Sequence, residues 1–408
     1  MKSFATMAFR KYMAQRSLAK LDLEVAERSL EEIGAVAKHN FTGTSTEIQT
    51  LESLGLTIPA DTLLSGGTHR GGLKIRSMVA QTANRGMPGV ITAEDVLVTA
   101  GATMALFIVN ITLLSTEDHV IVLLPCYRLN VHILQQSVKC EISYVCLKLI
   151  PDEGNERHFV NVADIYNAIR PNTKLISMCS PVHPTGIMFT ASEIRRLSNI
   201  AKESECYLLI DETLVDMKYQ DGWFDTCRGA ELGEEHIITV SSISKTYGVP
   251  GVRIGWLTTK DPRLMEEFLD CKRQISAVVS AVDELIAEHI LARRTALVQD
   301  AMAKMHPLRD LIETWVMQGE DFDWVRPEAG TQCLIRIRKT PEGGLEEFYK
   351  RLLVKHGVFV LRGTHYCMND AWFVLQFGRT TLEKLELGLS AISAALASCP
   401  VDRHILGP

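Results

Sequence analysis

Residues 241–256 read SSISKTYGVPGVRIGW and place a single lysine, Lys245, after Ser241, Ser242 and Ser244. An apolar run, HIITV (236–240), comes before them and predicts a short strand that ends at the serines. Gly248, Pro250 and Gly251 then predict a sharp turn, and Arg253 follows the lysine by eight positions. A lone lysine on such a loop is usually a solvated charge, so its meaning depends on the residues that accompany it.

Other short strands end in comparable segments. From about residue 90, apolar β-branched runs alternate with helical patterns, which predicts parallel βαβ units in a sheet covered on both faces. Beyond residue 260 a helical stretch reaches about residue 318, and three strands then alternate with two helices, which predicts a smaller α+β domain. Ligands bind at the carboxyl ends of strands in open α/β sheets. The segments at those ends are TAGAT (99–103), PCY (125–127), SPVHPTG (180–186), DET (211–213) and SSISK (241–245).

Together these segments describe one ligand. A phosphate suits a group of backbone amides, hydroxyls and a guanidinium: Gly101, Ala102, Thr103, Ser242 and Arg253. Asp211 ends an apolar run and needs a cationic partner, Tyr127 offers a flat face, and Lys245 offers an amine for a carbonyl. Each also has an ordinary interpretation, such as a helix N-cap for Asp211 or a surface ion pair for Arg253. Pyridoxal phosphate carries all four chemical features.

At this point the sequence resembles a known family, the class I/II aminotransferases, which are fold-type I pyridoxal-phosphate enzymes. The likeness covers roughly residues 60–395, and it includes the lysine signature, the spacing from Lys245 to Arg253 and the order of all five segments. It implies an α/β fold, with a large domain of mostly parallel sheet flanked by helices and a smaller α+β domain. We expect an N-terminal arm at 1–45, the cofactor-binding domain at 46–275, and an interdomain helix with the small domain at 276–408.

The resemblance also implies roles. Lys245 would form an imine with the cofactor and then act as general acid and base, while Asp211 would keep the ring nitrogen protonated and Tyr127 would stack on the ring. Gly101, Ala102, Thr103, Ser242 and Arg253 would hold the phosphate. Ser244 either joins them or is an ordinary loop hydroxyl.

Three positions depart from the family pattern. His183 stands where the family has an asparagine that donates to the cofactor's phenolic oxygen, and Leu214 stands where it has a tyrosine. His183 is either a neutral substitute donor or a group that lowers the pKa of the imine. The arginine that clamps the substrate carboxylate falls at Val374; Arg379, five residues on, either replaces it or is a surface charge beside a helix.

Pocket-lining segments in relatives nominate His39, Asn40, His69 and Arg70 as further substrate contacts, with His365 and Tyr366 as weaker candidates. Three segments, HNFT (39–42), SKTYGVPGVRIGW (244–256) and RLLVKHGVFVLRG (351–363), are similar to those of family members that cyclise a hydroxylated arginine. We therefore expect an external aldimine with an amino acid, removal of the Cα proton, and then side-chain elimination, replacement or cyclisation. Ordinary transamination is the alternative, and an inactive binding homologue is a remote one.

Composition limits the partners. The net charge of −6 with interspersed signs argues against nucleic acid, and no apolar run reaches membrane-spanning length. The ten cysteines form no CxxC pair or zinc-like spacing, which predicts reduced thiols and no metal site. No GxGxxG follows the first strand, which argues against a dinucleotide enzyme.

Family members are homodimers with shared active sites, and the segment around Thr68 and His69 falls where relatives supply a partner contact to the phosphate. A cytoplasmic protein is expected, unless the basic residues 1–20 form a mitochondrial transit peptide rather than an amphipathic arm.

Overall fold

The computed structural model describes residues 34–35, 37–85, 89–152, 155–159, 161–219, 225–341 and 343–398. The basic segment 1–20 and most of the N-terminal arm expected at 1–45 lie outside the described residues.

Strands and helices alternate along most of the chain. The strands are β1 (His39–Asn40), β2 (Val96–Thr99), β3 (His119–Leu124), β4 (Glu141–Cys146), β5 (Lys148–Asp152), β6 (Asn155–Phe159), β7 (Thr173–Cys179), β8 (Tyr207–Asp211), β9 (Ile237–Ser242), β10 (Gly255–Thr259), β11 (Phe322–Val325), β12 (Gln332–Ile337), β13 (Val358–Phe359), β14 (Leu361–Arg362) and β15 (Trp372–Gln376). The helices are α1 (Leu73–Ala83), α2 (Ala102–Leu113), α3 (Arg128–Ile133), α4 (Val162–Tyr166), α5 (Ala191–Glu203), α6 (Pro262–Ile275), α7 (Ala281–Ala292), α8 (Arg294–Gln318), α9 (Gly344–Val354) and α10 (Leu382–Ala397).

A seven-stranded sheet forms the larger unit, in the order β2-β10-β9-β8-β7-β3-β4. Strands β4, β3, β7, β8 and β9 run parallel, whereas β10 is antiparallel to both of its neighbours, β9 and β2. Every residue of β2, β3 and β9 is buried, as expected for a sheet with helices on both faces. The expectation of a mostly parallel sheet flanked by helices is therefore confirmed.

A second sheet of six strands has the order β14-β15-β12-β11-β6-β5 and is antiparallel except where β11 meets β6. Its helical partners α8, α9 and α10 bury one face of β12 and β15 in a separate apolar core. The run EISYVCLKL (141–149) has the composition of a single strand. The structure divides it between β4, which belongs to the large sheet, and β5, which belongs to the small one.

Local sequence signals place the helix that matters most for the site. Gly101 precedes α2 with a φ of 81°, a left-handed conformation that glycine adopts without steric cost. The free backbone N–H groups of the first turn of α2 therefore point toward the carboxyl end of the sheet, beside β9 and its serines. At the opposite end of the domain, Asp261 caps α6 through its side chain, with Pro262 in the first turn.

Candidate active site

A cavity of about 250 Å³ lies at the carboxyl ends of the parallel strands. Residues from the ends of β7, β8 and β9, from the start of α2 and from the loop after β3 converge on it, which is where an open α/β sheet binds its ligand. The lining residues are Thr44, Ala102, Thr103, Tyr127, Cys179, Pro181, His183, Asp211, Thr213, Leu214, Ser242, Ser244, Lys245, Pro250 and Arg253.

Lys245 is held in this cavity by a loop from far along the chain. Its Nζ donates a hydrogen bond to Thr44 Oγ1, and its carbonyl accepts one from the backbone N–H of Thr46 at 3.0 Å. Gly248, with a φ of 64°, lets that loop approach, because a Cβ there would overlap the carbonyl oxygen of Glu47. Burial lowers the pKa of the Lys245 amine to about 8, and the charges of Arg379 and Arg253 add to the effect.

The start of α2 and Arg253 form a cradle for an anion. Arg253 donates to the carbonyl oxygens of Pro250 at 2.8 Å and Ala100 at 3.4 Å, and to Ser244 Oγ at 3.5 Å. A Cβ on Gly101 would overlap the Arg253 guanidinium, so only glycine allows this approach. The guanidinium, the amides that begin α2 and the hydroxyl of Ser242 thus share one corner of the cavity, a donor set that suits phosphate.

Asp211 lies at the carboxyl end of β8 and is 7% exposed. Both Thr213 N–H and Thr213 Oγ1 donate to its Oδ1, at 3.0 and 2.6 Å. Oδ2 accepts no hydrogen bond from the described residues, and it remains for a ligand. Burial raises the pKa of the carboxyl, because the charged form has lost its contact with water. A cation bound in the cavity would favour the ionised form.

His183 and Tyr127 lie together on another wall. Their ring centroids are 5.6 Å apart in an edge-to-face arrangement, and Tyr366 contacts the imidazole from a further side at 5.3 Å. Gln332 Nε2 lies 2.5 Å from His183 Nδ1. Burial, assisted by the charge of Lys245, lowers the pKa of His183 to about 3, so the imidazole is neutral and one of its two ring nitrogens carries a proton.

Two positions were considered for the arginine that binds the substrate carboxylate, and their surroundings differ. Val374 is fully buried in β15, among apolar residues such as Leu334 and Trp372. Arg379 is exposed, its Nε donates to Ser45 Oγ at 2.8 Å, and its charge acts on Lys245. Arg379 does not itself line the cavity, but it lies beside Gly43 and Ser45, which flank the lining residue Thr44. Leu214 lines the cavity as an apolar wall.

Four further candidates do not line the cavity of the described chain. His39 is buried in β1 and stacks on Phe41, and Asn40 is exposed and bonded to its own loop. His69 Nδ1 lies 3.0 Å from the carbonyl oxygen of Ala277, and Arg70 pairs with Glu94 and Glu266 at 2.6 and 2.8 Å. Of the weaker pair, Tyr366 contacts His183, whereas the half-buried His365 does not line the cavity. A role for these residues toward the substrate stays a prediction.

Several lining residues were missed by sequence reasoning. Thr213 had a usable signal, because a threonine two positions after an aspartate forms a recognised hydrogen-bonded turn. Thr44 had none, because it lies 201 positions before Lys245 in the chain. Cys179 and Pro181 also line the cavity; burial raises the pKa of the Cys179 thiol, which keeps it neutral.

These groups fit a ligand that combines a phosphate, a ring cation and an aldehyde. Comparison with known proteins shows to which family the chain belongs. The family model described as "Aminotransferase class I and II" matches residues 60–392. The chain belongs to the class I and II aminotransferases. It is therefore a pyridoxal-phosphate-dependent enzyme of the aminotransferase family, and pyridoxal phosphate is its cofactor.

Individual aminotransferase-family relatives are distant. An arginine–pyruvate transaminase from Pseudomonas aeruginosa is 25% identical over 74% of this chain and 76% of its own. Capreomycidine synthase from Streptomyces vinaceus is 24% identical over 90% of each chain. A solved pyridoxal-phosphate-dependent aminotransferase from Streptococcus suis superposes with a TM-score of 0.78 at 25% identity, covering 91% of this chain and 96% of the other. The fold-type I architecture is thus confirmed. No helix in the described residues has both the length and the apolar character needed to cross a membrane.

Proposed function

We propose that the enzyme removes the α-proton of an amino-acid substrate and then expels or closes its side chain, by elimination, replacement or cyclisation. The observation that carries this proposal is the cavity itself, in which Lys245 lies together with Asp211, His183 and the anion cradle. Two further features favour side-chain chemistry. The apolar Val374 stands where the family has its carboxylate-binding arginine, and capreomycidine synthase is similar to this chain over 90% of both chains.

Residues of the chain would hold each part of the cofactor. Arg253, Ser242, Ser244, Gly101 and the amides of Ala102 and Thr103 form the phosphate site, and Tyr127 supports a ring face. Asp211 Oδ2 receives the ring N–H, with Thr213 fixing the carboxylate by its two bonds to Oδ1. When bound, the cofactor supplies an electron sink for the pair left at the substrate's α-carbon.

Lys245 holds the cofactor covalently and later moves the proton. An amine with a pKa of about 8 is largely neutral under mildly alkaline conditions, and only the neutral form is a nucleophile or a base. With the cofactor bound, Nζ would accept the α-proton of the substrate and later return it to the product. Thr44 Oγ1 accepts a hydrogen bond from Nζ and so orients the amine.

Arg379 would receive the substrate carboxylate. Its guanidinium lies beside Gly43 and Ser45, and partial desolvation lowers its pKa, so a carboxylate partner would stabilise its charge. Leu214 presents only apolar surface to the cavity, which disfavours a further charged group of the substrate at that wall. Four residues outside the cavity lining are proposed to contact the distal end of the substrate: His39, Asn40, His69 and Arg70.

The chain is also proposed to form a homodimer. Segment 59–68 of the described chain exposes Leu63 and Leu64, each 80% exposed, beside the glycines 66 and 67. Two adjacent exposed leucines on a loop suit an interface with a second copy of the chain. In that arrangement Thr68 and His69 would approach the partner's phosphate site.

Transamination is the second candidate, and the likeness to an arginine–pyruvate transaminase supports it. One experiment separates the two. The purified enzyme is incubated with a panel of amino acids, with and without 2-oxo acids, while its visible spectrum is recorded. Transamination leaves a pyridoxamine form that a 2-oxo acid reverses. The proposed side-chain chemistry returns the original spectrum without an acceptor and releases or closes a side chain. A protein in which borohydride fixes no cofactor at Lys245 contradicts both candidates.

A further inference from the structure

Two buried glutamines of the small sheet lie behind the wall formed by His183 and Tyr366. Gln332 in β12 and Gln376 in β15 are directly paired across the antiparallel ladder. They are 1% and 2% exposed, and their neighbours on the same face of the sheet are apolar: Leu334 and Val374. Burying a primary amide costs free energy unless its groups are hydrogen-bonded, so two such residues at one site call for an explanation.

The contact made by Gln332 supplies that explanation. Its Nε2 lies 2.5 Å from His183 Nδ1, and an amide NH₂ can only donate. His183 Nδ1 must then accept, and a neutral imidazole that accepts at Nδ1 carries its proton on Nε2. Tyr127 and Tyr366 contact the ring from two sides, so the ring has little freedom to turn over. Nε2–H is thus the ring donor left for the cavity that His183 lines.

We propose that Gln332 is a positioning residue that fixes His183 in the tautomer protonated at Nε2, so that the cavity keeps a hydrogen-bond donor at this wall. The inference rests on the proposed function, in which the donor faces an anionic oxygen of the cofactor. A reversed amide would place Oε1 on Nδ1–H and leave a lone pair on Nε2, which repels an anionic oxygen.

Gln332 Oε1 supports a functional role. It is buried and has no hydrogen-bond partner among the described residues, so the arrangement is not one that stability alone would favour. Gln376 provides a matched comparison, since its Oε1 is equally without a described partner but its Nε2 lies 3.4 Å from Tyr366 Oη rather than near His183.

The test is the position of the imidazole proton. We expect ¹⁵N NMR of the cofactor-bound enzyme with labelled histidine to show His183 protonated at Nε2 and unprotonated at Nδ1, with the resonance assigned from the His183→Asn variant. Gln332→Glu keeps the side-chain size, and its carboxylate only accepts when it is ionised, so at a pH where that carboxylate is ionised the variant should carry a proton on Nδ1. Gln376→Glu, equally buried on the paired strand, should leave Nδ1 unprotonated.

Two results overturn the inference: a proton on Nδ1 of the unaltered enzyme, or an Nδ1 that stays unprotonated in Gln332→Glu. The first needs no variant, so poor folding of a variant does not prevent a decision. Borohydride attachment of the cofactor to Lys245 is measured on the same samples. Failed attachment contradicts the proposed function, whereas intact attachment with the wrong tautomer contradicts only the role of Gln332.

Discussion

Lys245 has a lowered pKa because it is buried beside two arginines, and this sets the pH at which it reacts. Attachment to the aldehyde needs the neutral amine, which predominates above the pKa. We expect the rate of cofactor attachment to the cofactor-free protein to rise with pH and level off above about 8, rather than near the ordinary lysine value of 10.5. Stopped-flow absorbance after mixing with pyridoxal phosphate measures this profile.

The contribution of Arg379 to that profile has a direct control. Arg379→Met removes a positive charge that lowers the pKa of Lys245, so the midpoint should move to higher pH. Arg338→Met removes an exposed arginine that is paired with Asp323 in the small sheet, and it should leave the midpoint unchanged. Identical midpoints in all three proteins would show that Arg379 does not act on the amine.

Arg379 is also expected to recognise the substrate carboxylate. Hydrogen bonds to a charged group contribute about 1.5–3 kcal/mol, so Arg379→Met should raise KM for amino acids by roughly 10- to 100-fold. The same variant should bind the corresponding decarboxylated amine as well as the unaltered enzyme does. Steady-state kinetics with both compounds provide the comparison. An equal loss for acid and amine assigns the effect to packing rather than to carboxylate binding.

At the level of single residues, sequence predicts what is encoded locally. Asp211 is the last residue of β8, Lys245 follows the end of β9 and Arg253 follows the turn after Lys245, and the parallel sheet brings the ends of β8 and β9 together in one cavity. Contacts between remote segments carry no such signal. Thr44 reaches Lys245 across 201 positions, and Gln332 reaches His183 across 149, because the loop after β1 and strand β12 pack against the site only in the folded chain.

The turn between β2 and α2 is the element whose geometry is most constrained. Gly101→Ala would force a Cβ into the left-handed region and against Arg253. Such strain costs on the order of 1–3 kcal/mol, so cofactor affinity should fall about tenfold or more. Fluorescence titration of the cofactor-free protein with pyridoxal phosphate measures the change.

Gly251→Ala is the matched control for that variant. Gly251 lies in the lysine signature, but a Cβ there meets no atom within 4 Å and its φ is not positive. It should retain the affinity of the unaltered protein. Equal affinities of both variants would mean that the Gly101 turn does not shape the phosphate site.

The pairing of strands in a sheet is harder to predict from the sequence than the existence of each strand. The run after Arg253 has the composition of a strand, but no local feature indicates that β10 enters the large sheet antiparallel, between β2 and β9. Likewise, β5 and β6 lie between large-sheet strands in sequence but pair with the small sheet. Partner choice of this kind depends on long-range packing rather than on the strand's own residues.

On the scale of the whole molecule, the proposed dimer makes the segment around Leu63 and Leu64 an interface. Fully burying one leucine contributes about 1.5–3 kcal/mol, and a buried carboxylate in its place adds a desolvation cost. Leu64→Asp should therefore weaken dimerisation by at least about tenfold, as measured by analytical ultracentrifugation over a concentration series.

Val354→Asp separates interface loss from a general effect of added charge. Val354 is 75% exposed at the end of α9, in the small domain, so its substitution should leave the dimer intact. Cofactor affinity links assembly to the site: if Thr68 and His69 complete the partner's phosphate site, Leu64→Asp should bind pyridoxal phosphate more weakly when dilute and recover at high protein concentration, while Val354→Asp shows no such dependence. A monomeric Leu64→Asp protein with undiminished cofactor affinity at every concentration would show that each chain builds its phosphate site alone.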